Sequence, residues 1–285
     1  MKVALTGLRW TARTVVIVLL VMLGSTLLVR FAPGYLSDAR EMDSRYAAAA
    51  RSELSSEAAS SHSIPHMILS EIRGSLRGDF GTSRQFDVPV SELIGPRLAI
   101  SGGLLLRGIG LGWLLALSAA LISTAGKNPS FFWQAPATLL LAVPTAALAT
   151  FCLLANSGGP VLVMALLLAA RDFKFLNHAL RRGWLEPHVL QARAQGLGPV
   201  RLLLGHLVPA LAPQLGALAS LSLVTALSAL VPVEVIFNVP GLGELAWNAA
   251  LNRDLPVLLA VVMLMAVAVT CSGMAVPHGA DWESA

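Results

Sequence analysis

The sequence predicts an all-α membrane protein with six transmembrane helices and an extracytoplasmic cap between the first two. Three observations carry this. Of 285 residues, 55% are hydrophobic and only 13% charged, where soluble domains carry about 25% charged residues, and the mean hydropathy is +0.71. Six apolar stretches approach the roughly 20 residues needed to cross a hydrocarbon core. Lys and Arg gather in alternate connecting segments, as the positive-inside rule requires.

The six stretches run near 10–31, 99–123, 131–155, 159–176, 209–233 and 255–276. In the first, Lys2, Arg9 and Arg13 precede an apolar run from Thr14 to Val29 with no clean small-x-small cleavage site, so it reads as a retained signal anchor. In the third, Pro144 is expected to kink the span, with neighbouring helices compensating the freed carbonyl. The fourth is weakest: its apolar part ends at Ala170, and Arg171, Asp172 and Lys174 follow, so this helix is expected to continue into the aqueous phase.

With the N-terminus inside, the segments 1–13, 123–130 and 171–206 hold Lys2, Arg9, Arg13, Lys127, Arg171, Lys174, Arg181, Arg182, Arg193 and Arg201, whereas the short outer segments 156–159 and 234–254 hold only Arg253. The expected organisation is an N-terminal tail and first span (1–31), a cap (32–98), a core of five spans (99–276) with an inner loop at 177–206 and a re-entrant outer segment at 234–254, and a C-terminal tail (277–285). The first half of the cap, Leu36 to Ser61, has helix-favouring composition with little core-forming power. Its second half mixes apolar residues with Gly and Pro.

Composition also excludes functions. Cys152 and Cys271 both lie in apolar runs, which leaves no disulfide framework and no thiol metal site. His62 and His66 are separated by Pro65, which spoils a shared helical face for a metal. The basic balance follows from membrane topology, and no nucleic-acid partner is expected. Serines within spans have no His/Asp set near them, so neither a hydrolase triad nor another membrane enzyme has support. Gly126-Lys127 is followed by Asn128, and position 121 is Leu, which is not a phosphate loop.

Two segments stand out by their own chemistry. On the inner loop, Glu186 and Pro187 suit a helix start, and Gly196 suits a left-handed helix end. They bracket a short helix carrying Gln191, Ala192 and Arg193. Such a helix is either a handle for a cytoplasmic partner or a plain surface connector. The outer segment reads Glu234-Val-Ile-Phe237-Asn238-Val-Pro240-Gly241-Leu-Gly243. Pro240, Gly241 and Gly243 are expected to break a helix that begins near Pro209. Broken backbone at membrane depth is tolerated only inside protein or against a cavity, and Glu234 there is either functional or a hydrated interfacial residue.

Both segments carry a resemblance. Gln191-Ala192, Gly196 and then Pro209 resemble the EAA loop of ABC importer permeases. The stretch "EVIFNVPGLG…NRDLP" is similar to the "ETVFxxPGLG…RDYP" signature of dipeptide and oligopeptide permeases. "LRGDFGTS…PVSELI" followed by Arg97-Leu98, Arg30-Phe-Ala-Pro-Gly34 and Ala142-Val-Pro-Thr145 have counterparts in the same family. Within the third of these, Ser91 is expected to cap a helix leading into span two. The chain thus resembles a permease subunit of the dipeptide/oligopeptide/nickel class of binding-protein-dependent ABC importers, over about residues 10–265. It departs at Tyr35, at Leu190 and Gln191, at the short outer loop 156–159, and at the C-terminal end, where Thr270 to Pro277 lead to a short acidic tail.

The resemblance implies an ABC type I importer permease fold in a bacterial inner membrane, paired with a second homologous permease. It implies two cytoplasmic ATPase subunits, which would bind the ATP and Mg, and an extracytoplasmic substrate-binding protein. No cofactor is expected in this chain. Glu186, Gln191, Ala192, Arg193 and Gly196 would couple to the ATPase. Glu234, Phe237, Asn238, Pro240, Gly241 and Gly243 would gate the pathway. Arg107, inside span two, would line it, snorkel outward or pair with Glu234. Gly108 and Gly112 have the spacing of close helix packing. Cargo would be small peptides, nickel complexes or similar solutes. A non-transporting membrane scaffold subunit is the alternative.

Overall fold

The computed structural model describes residues 80–83, 85–125, 131–252 and 254–273, with Gly74 and a few helical positions between 14 and 24. Most of the first span, most of the cap with Arg30–Gly34 and Tyr35, the pair His62/His66, Lys127, Arg253 and the C-terminal tail lie outside the described residues. What is described is almost wholly helical, joined by a single isolated bridge between Thr82 and Pro89.

In chain order the helices are α1 (Val90–Ala125), α2 (Phe131–Ala142), α3 (Thr145–Leu154), α4 (Pro160–Gly183), α5 (Pro187–Ala194), α6 (Pro199–Leu202), α7 (Val208–Ile236), α8 (Leu242–Leu251) and α9 (Leu255–Ser272). Among the described residues, Val90–Thr124, Pro199–Ile236 and Leu255–Ser272 are long and apolar enough to cross a membrane. A fourth crossing follows if α2 and α3, bent by 98°, form one broken span. That bend falls at Pro144, which precedes Thr145 with an extended ψ of 141°. Proline lacks the N–H that a continuous helix would use and crowds the carbonyl four residues earlier. The expected kink is a full change of direction.

Three expectations need correction. Ser91 does not cap a helix into span two: it lies in the first turn of α1, which runs unbroken from Val90 past Pro96 to Ala125. The helix expected to begin near Pro209 begins at Pro199 and passes through a π-helical turn, Leu203–Leu207, before α7. Pro209 has no N–H to donate and its ring crowds Gly205, so a wider turn just before it relieves the clash. Gly243 breaks nothing: it sits buried in the first turn of α8.

The chain separates into two compact units, one of residues up to Ile100 with Pro240–Ala268, the other of Ser101–Val239 with Val269 onward. The first unit has a core of Val90, Ile94, Leu242, Leu245, Ala249, Val257, Ala260 and Val261, with Phe80 and Met265 packed against it. Polar contacts fasten its parts. Arg97 Nη1 meets Glu244 Oε2 at 2.6 Å, and Asn248 Nδ2 donates to Glu244 Oε1 at 2.7 Å. Ser83 Oγ donates to the buried Asp254, whose Oδ2 also accepts from the Gln85 backbone N–H at 3.2 Å.

The second unit is organised around α4, which packs against α7 and α2, while α3 packs on both α7 and α4. Its core joins Ala116 and Ala120 of α1, Phe173, Leu176 and Leu180 of α4, Val189 and Ala192 of α5, and Leu207, Leu211 and Leu218 at the start of α7. Gly108 and Gly112 let α1 approach α4 closely: a β-carbon at Gly108 would lie 2.5 Å from Met164 Cγ, and one at Gly112 would lie 3.0 Å from Leu168 Cβ. Large apolar side chains on the outside, among them Leu106, Leu139, Phe151 and Leu154, suit lipid or a protein partner better than water.

Candidate functional site

Helix α5 is a short helix anchored by one buried face. Glu186 is its N-cap with extended backbone and Pro187 its first residue, where a missing N–H costs nothing. Val189 and Ala192 are buried in the core. Glu186, His188, Leu190, Gln191 and Arg193 are exposed. The helix ends in a Schellman turn: Leu197 N–H donates to Ala192 O at 3.4 Å and Gly196 N–H to Arg193 O at 3.0 Å. Gly196 adopts φ +82°, a conformation that glycine takes without a steric penalty. Of the five residues expected to couple, Glu186, Gln191, Arg193 and Gly196 are exposed, with Gln191 and Arg193 flanking Ala192, which is buried.

A second site closes α7. Glu234 is fully buried, and its Oε1 accepts a hydrogen bond from Ser101 Oγ at 2.6 Å. It is therefore not an interfacial hydrated carboxylate. Three residues later the helix stops. Val239 N–H donates to Glu234 O at 2.9 Å, and Asn238 N–H to Val235 O at 3.3 Å. Asn238, at φ 51°, takes the left-handed position that glycine holds after α5. Asn is among the few residues other than glycine that tolerate it. Phe237 is half-buried and Asn238 exposed. Within the other unit, the buried Gly241 is the N-cap of α8, and its carbonyl accepts from Leu245 N–H at 3.1 Å.

Arg107 does not pair with Glu234. It is exposed, and its Nε donates to Gly103 O at 2.9 Å, one turn back on its own helix.

The sequence reading missed a polar network inside the second unit. Asp172, on α4, is fully buried. Its Oδ2 accepts from Ser222 Oγ of α7 at 2.8 Å, and Trp113 Nε1 of α1 donates to the same hydroxyl at 3.2 Å. Arg171 Nε lies 3.6 Å from Asp172 Oδ1, and Arg171 Nη1 donates to Thr225 Oγ1. Read along the chain, Arg171 and Asp172 mark the point where apolar sequence gives way to water. In the fold, Asp172 faces the helix interface instead. The sequence carries only half of the signal: an acid in a helical stretch shows that Asp172 needs a partner, and nothing in the spacing shows that Ser222 supplies it.

Comparison with known proteins agrees with this architecture. The family described as binding-protein-dependent transport system inner membrane component matches residues 106–277, well over half of the chain. The oligopeptide transport system permease protein OppB of Escherichia coli is 26% identical over 211 residues, covering 66% of this chain and 69% of that protein. The metal-staphylopine import system permease protein CntB of Staphylococcus aureus is 29% identical over 208 residues, covering 66% and 67%. With its apolar helices and this match, the chain belongs to the binding-protein-dependent transport system inner membrane components and is a multi-pass permease subunit of an ABC importer.

Proposed function

We propose that this subunit forms half of a translocation pathway for small peptides or metal-chelate solutes of similar size, in a complex with a second permease, two cytoplasmic ATPases and an extracytoplasmic binding protein. The similarity to an oligopeptide permease and a metal-staphylopine permease supports that cargo class. The observation that carries the coupling mechanism is α5. It is a capped helix whose Val189 and Ala192 are buried in the helical core while Gln191 and Arg193 project outward. A force applied to its outer face passes directly into α4 and the start of α7, because Leu180 and Leu207 share a core with Val189.

Closure of the ATPases moves α5 and, through that core, shifts α4 and α7 between inward-open and outward-open arrangements. The buried Glu234–Ser101 pair and the turn at Phe237–Asn238 act in gating on the outer side, and Pro240, Gly241 and Gly243 are gating residues of their own unit. The N-terminus lies in the cytoplasm and six helices span the membrane, with the cap receiving the binding protein. ATP and Mg belong to the partner ATPases, and this chain supplies no ATPase site.

Affinity purification of the tagged chain in mild detergent, followed by intact-complex mass analysis, tests the assembly. A second permease and two ATPase copies are expected. Recovery of the chain alone, or with unrelated membrane subunits, removes the proposed mechanism. In the assembled complex, Gly196→Trp places a large side chain on the docking face and is expected to abolish cargo-stimulated ATP hydrolysis while leaving the second permease bound.

A further inference from the structure

A pocket of about 430 Å³ opens where α4 ends, α5 begins and the π-helical turn enters α7. It lies within the range of about 300–1,000 Å³ common to small-molecule sites. Its apolar floor includes Ala179, Leu207 and Leu211, and Gly183 makes room for it: a β-carbon there would lie 2.5 Å from Leu207 Cδ1. The polar lining is of mixed charge, with His178, Arg182 and His188 as donors and Glu186 as acceptor, and with Gln214 beside them. No described hydrogen bond or ion pair occupies these five side chains.

The location restricts the occupant. Leu207 closes the π-helical turn, and Ala210, Leu211 and Gln214 belong to the first two turns of α7, in the N-terminal half of the apolar stretch Pro199–Ile236, so with α5 on the cytoplasmic side the pocket sits near the inner boundary of a membrane-crossing helix. Basic pockets between helices at that boundary suit lipid headgroups. Here, however, Glu186 offsets Arg182, so the lining does not select a purely anionic group. It matches a group that carries a phosphate and, a few ångströms away, an ammonium with N–H bonds to give.

We propose that this pocket binds the headgroup of phosphatidylethanolamine, with Arg182 and the two histidines on the phosphate and Glu186 accepting from the ammonium. The apolar floor takes the glycerol and the first acyl carbons. A bound lipid would touch α4, the start of α5 and the start of α7 together, and so brace the coupling helix against the spans. This rests on the reading that the α5 end faces the cytoplasm.

The test uses the assembled importer, purified in mild detergent and exchanged with phosphatidylethanolamine, phosphatidylcholine or phosphatidylglycerol, with lipid retention read by intact-complex mass analysis. Phosphatidylethanolamine is expected to be retained most. Phosphatidylcholine cannot donate a hydrogen bond to Glu186, and a lost charge-assisted hydrogen bond corresponds to roughly tenfold in affinity. Arg182→Gln, at an exposed position, should weaken retention of all three lipids. Ala210→Trp, which fills the pocket from another exposed position, should abolish it. Equal retention of the three lipids, or retention unchanged in both variants, overturns the proposal. So does occupancy by inorganic phosphate at equal affinity with no lipid retained. Co-purification of the ATPases in the same spectra reports on the importer assembly separately, so either reading can fail without the other.

Discussion

The turns at Gly196, after α5, and at Asn238, after α7, are closed by the same pair of backward hydrogen bonds, but the side chains that precede them sit in different surroundings. Around Gly196 there is open space, and a β-carbon built there meets nothing within 4 Å. Four residues before Asn238 is Glu234, fully buried and bonded to Ser101. The backbone device is therefore local, set by one residue able to take positive φ. What differs is what the helix end carries: exposed polar side chains at α5, a buried carboxylate at α7. The first arrangement can be altered without disturbing the fold, and the second cannot.

The strongest way to break this contrast is at Glu234. Glu234→Ala removes the acceptor from Ser101 and leaves a cavity, and should cost about 3 kcal/mol, read as a lower thermal unfolding midpoint of the complex in detergent. Glu234→Gln keeps an oxygen for Ser101 and should cost less than about 1.5 kcal/mol. If Ala and Gln behave alike, the carboxylate is not held as described. The next effect falls on the cap itself. A β-branched residue is a steric outlier at φ 51°, so Asn238→Val should cost about 1–2 kcal/mol, whereas Asn238→Gly should stay within about 0.5 kcal/mol. Val and Gly giving the same midpoint would mean that the turn rearranges.

These two sites differ as much in how they can be read from sequence. The bounds of α5 follow from Glu186, Pro187 and Gly196 because capping chemistry acts over a few residues. The bend at Pro144 is legible for the same reason. The break after α7 is expected from Pro240, Gly241 and Gly243, whereas the left-handed turn falls on Asn238, a weaker sequence signal than glycine for that position. Pairing across the fold was not legible at all. Ser101 and Glu234 are 133 positions apart, and Asp172 and Ser222 are 50 apart. No periodicity or cap connects them. Arg107 was assigned Glu234 as one partner on chemical complementarity, yet a guanidinium can equally satisfy itself on its own helix, as it does on Gly103 O. An apolar span shows that a polar side chain needs a partner, and only the packing shows which.

Smaller effects are expected at α5, and they sharpen the contrast because stability and coupling should separate there. Gly196→Ala meets no steric obstacle but places a β-carbon on a left-handed residue, a penalty of about 1–2 kcal/mol confined to the last turn of an eight-residue helix. The global midpoint should move little, while cargo-stimulated ATP hydrolysis falls part of the way toward the Gly196→Trp level. An unfolding shift as large as that of Glu234→Ala would mean that the cap at Gly196 supports the core after all.

The smallest stability change belongs to Gln191→Ala. Gln191 is exposed, and substitutions of that kind usually fall within about 0.5 kcal/mol. Helix propensity slightly favours Ala, so the midpoint should stay level or rise marginally. Any loss should appear only in the amount of ATPase that co-purifies. Arg193→Ala serves as its partner test on the other exposed flank of Ala192, and the two losses should add if each side chain meets the ATPase independently. A double variant that loses no more than either single one would place Gln191 and Arg193 on one shared contact, and α5 would then dock by a single point near its C-terminal end rather than along its length.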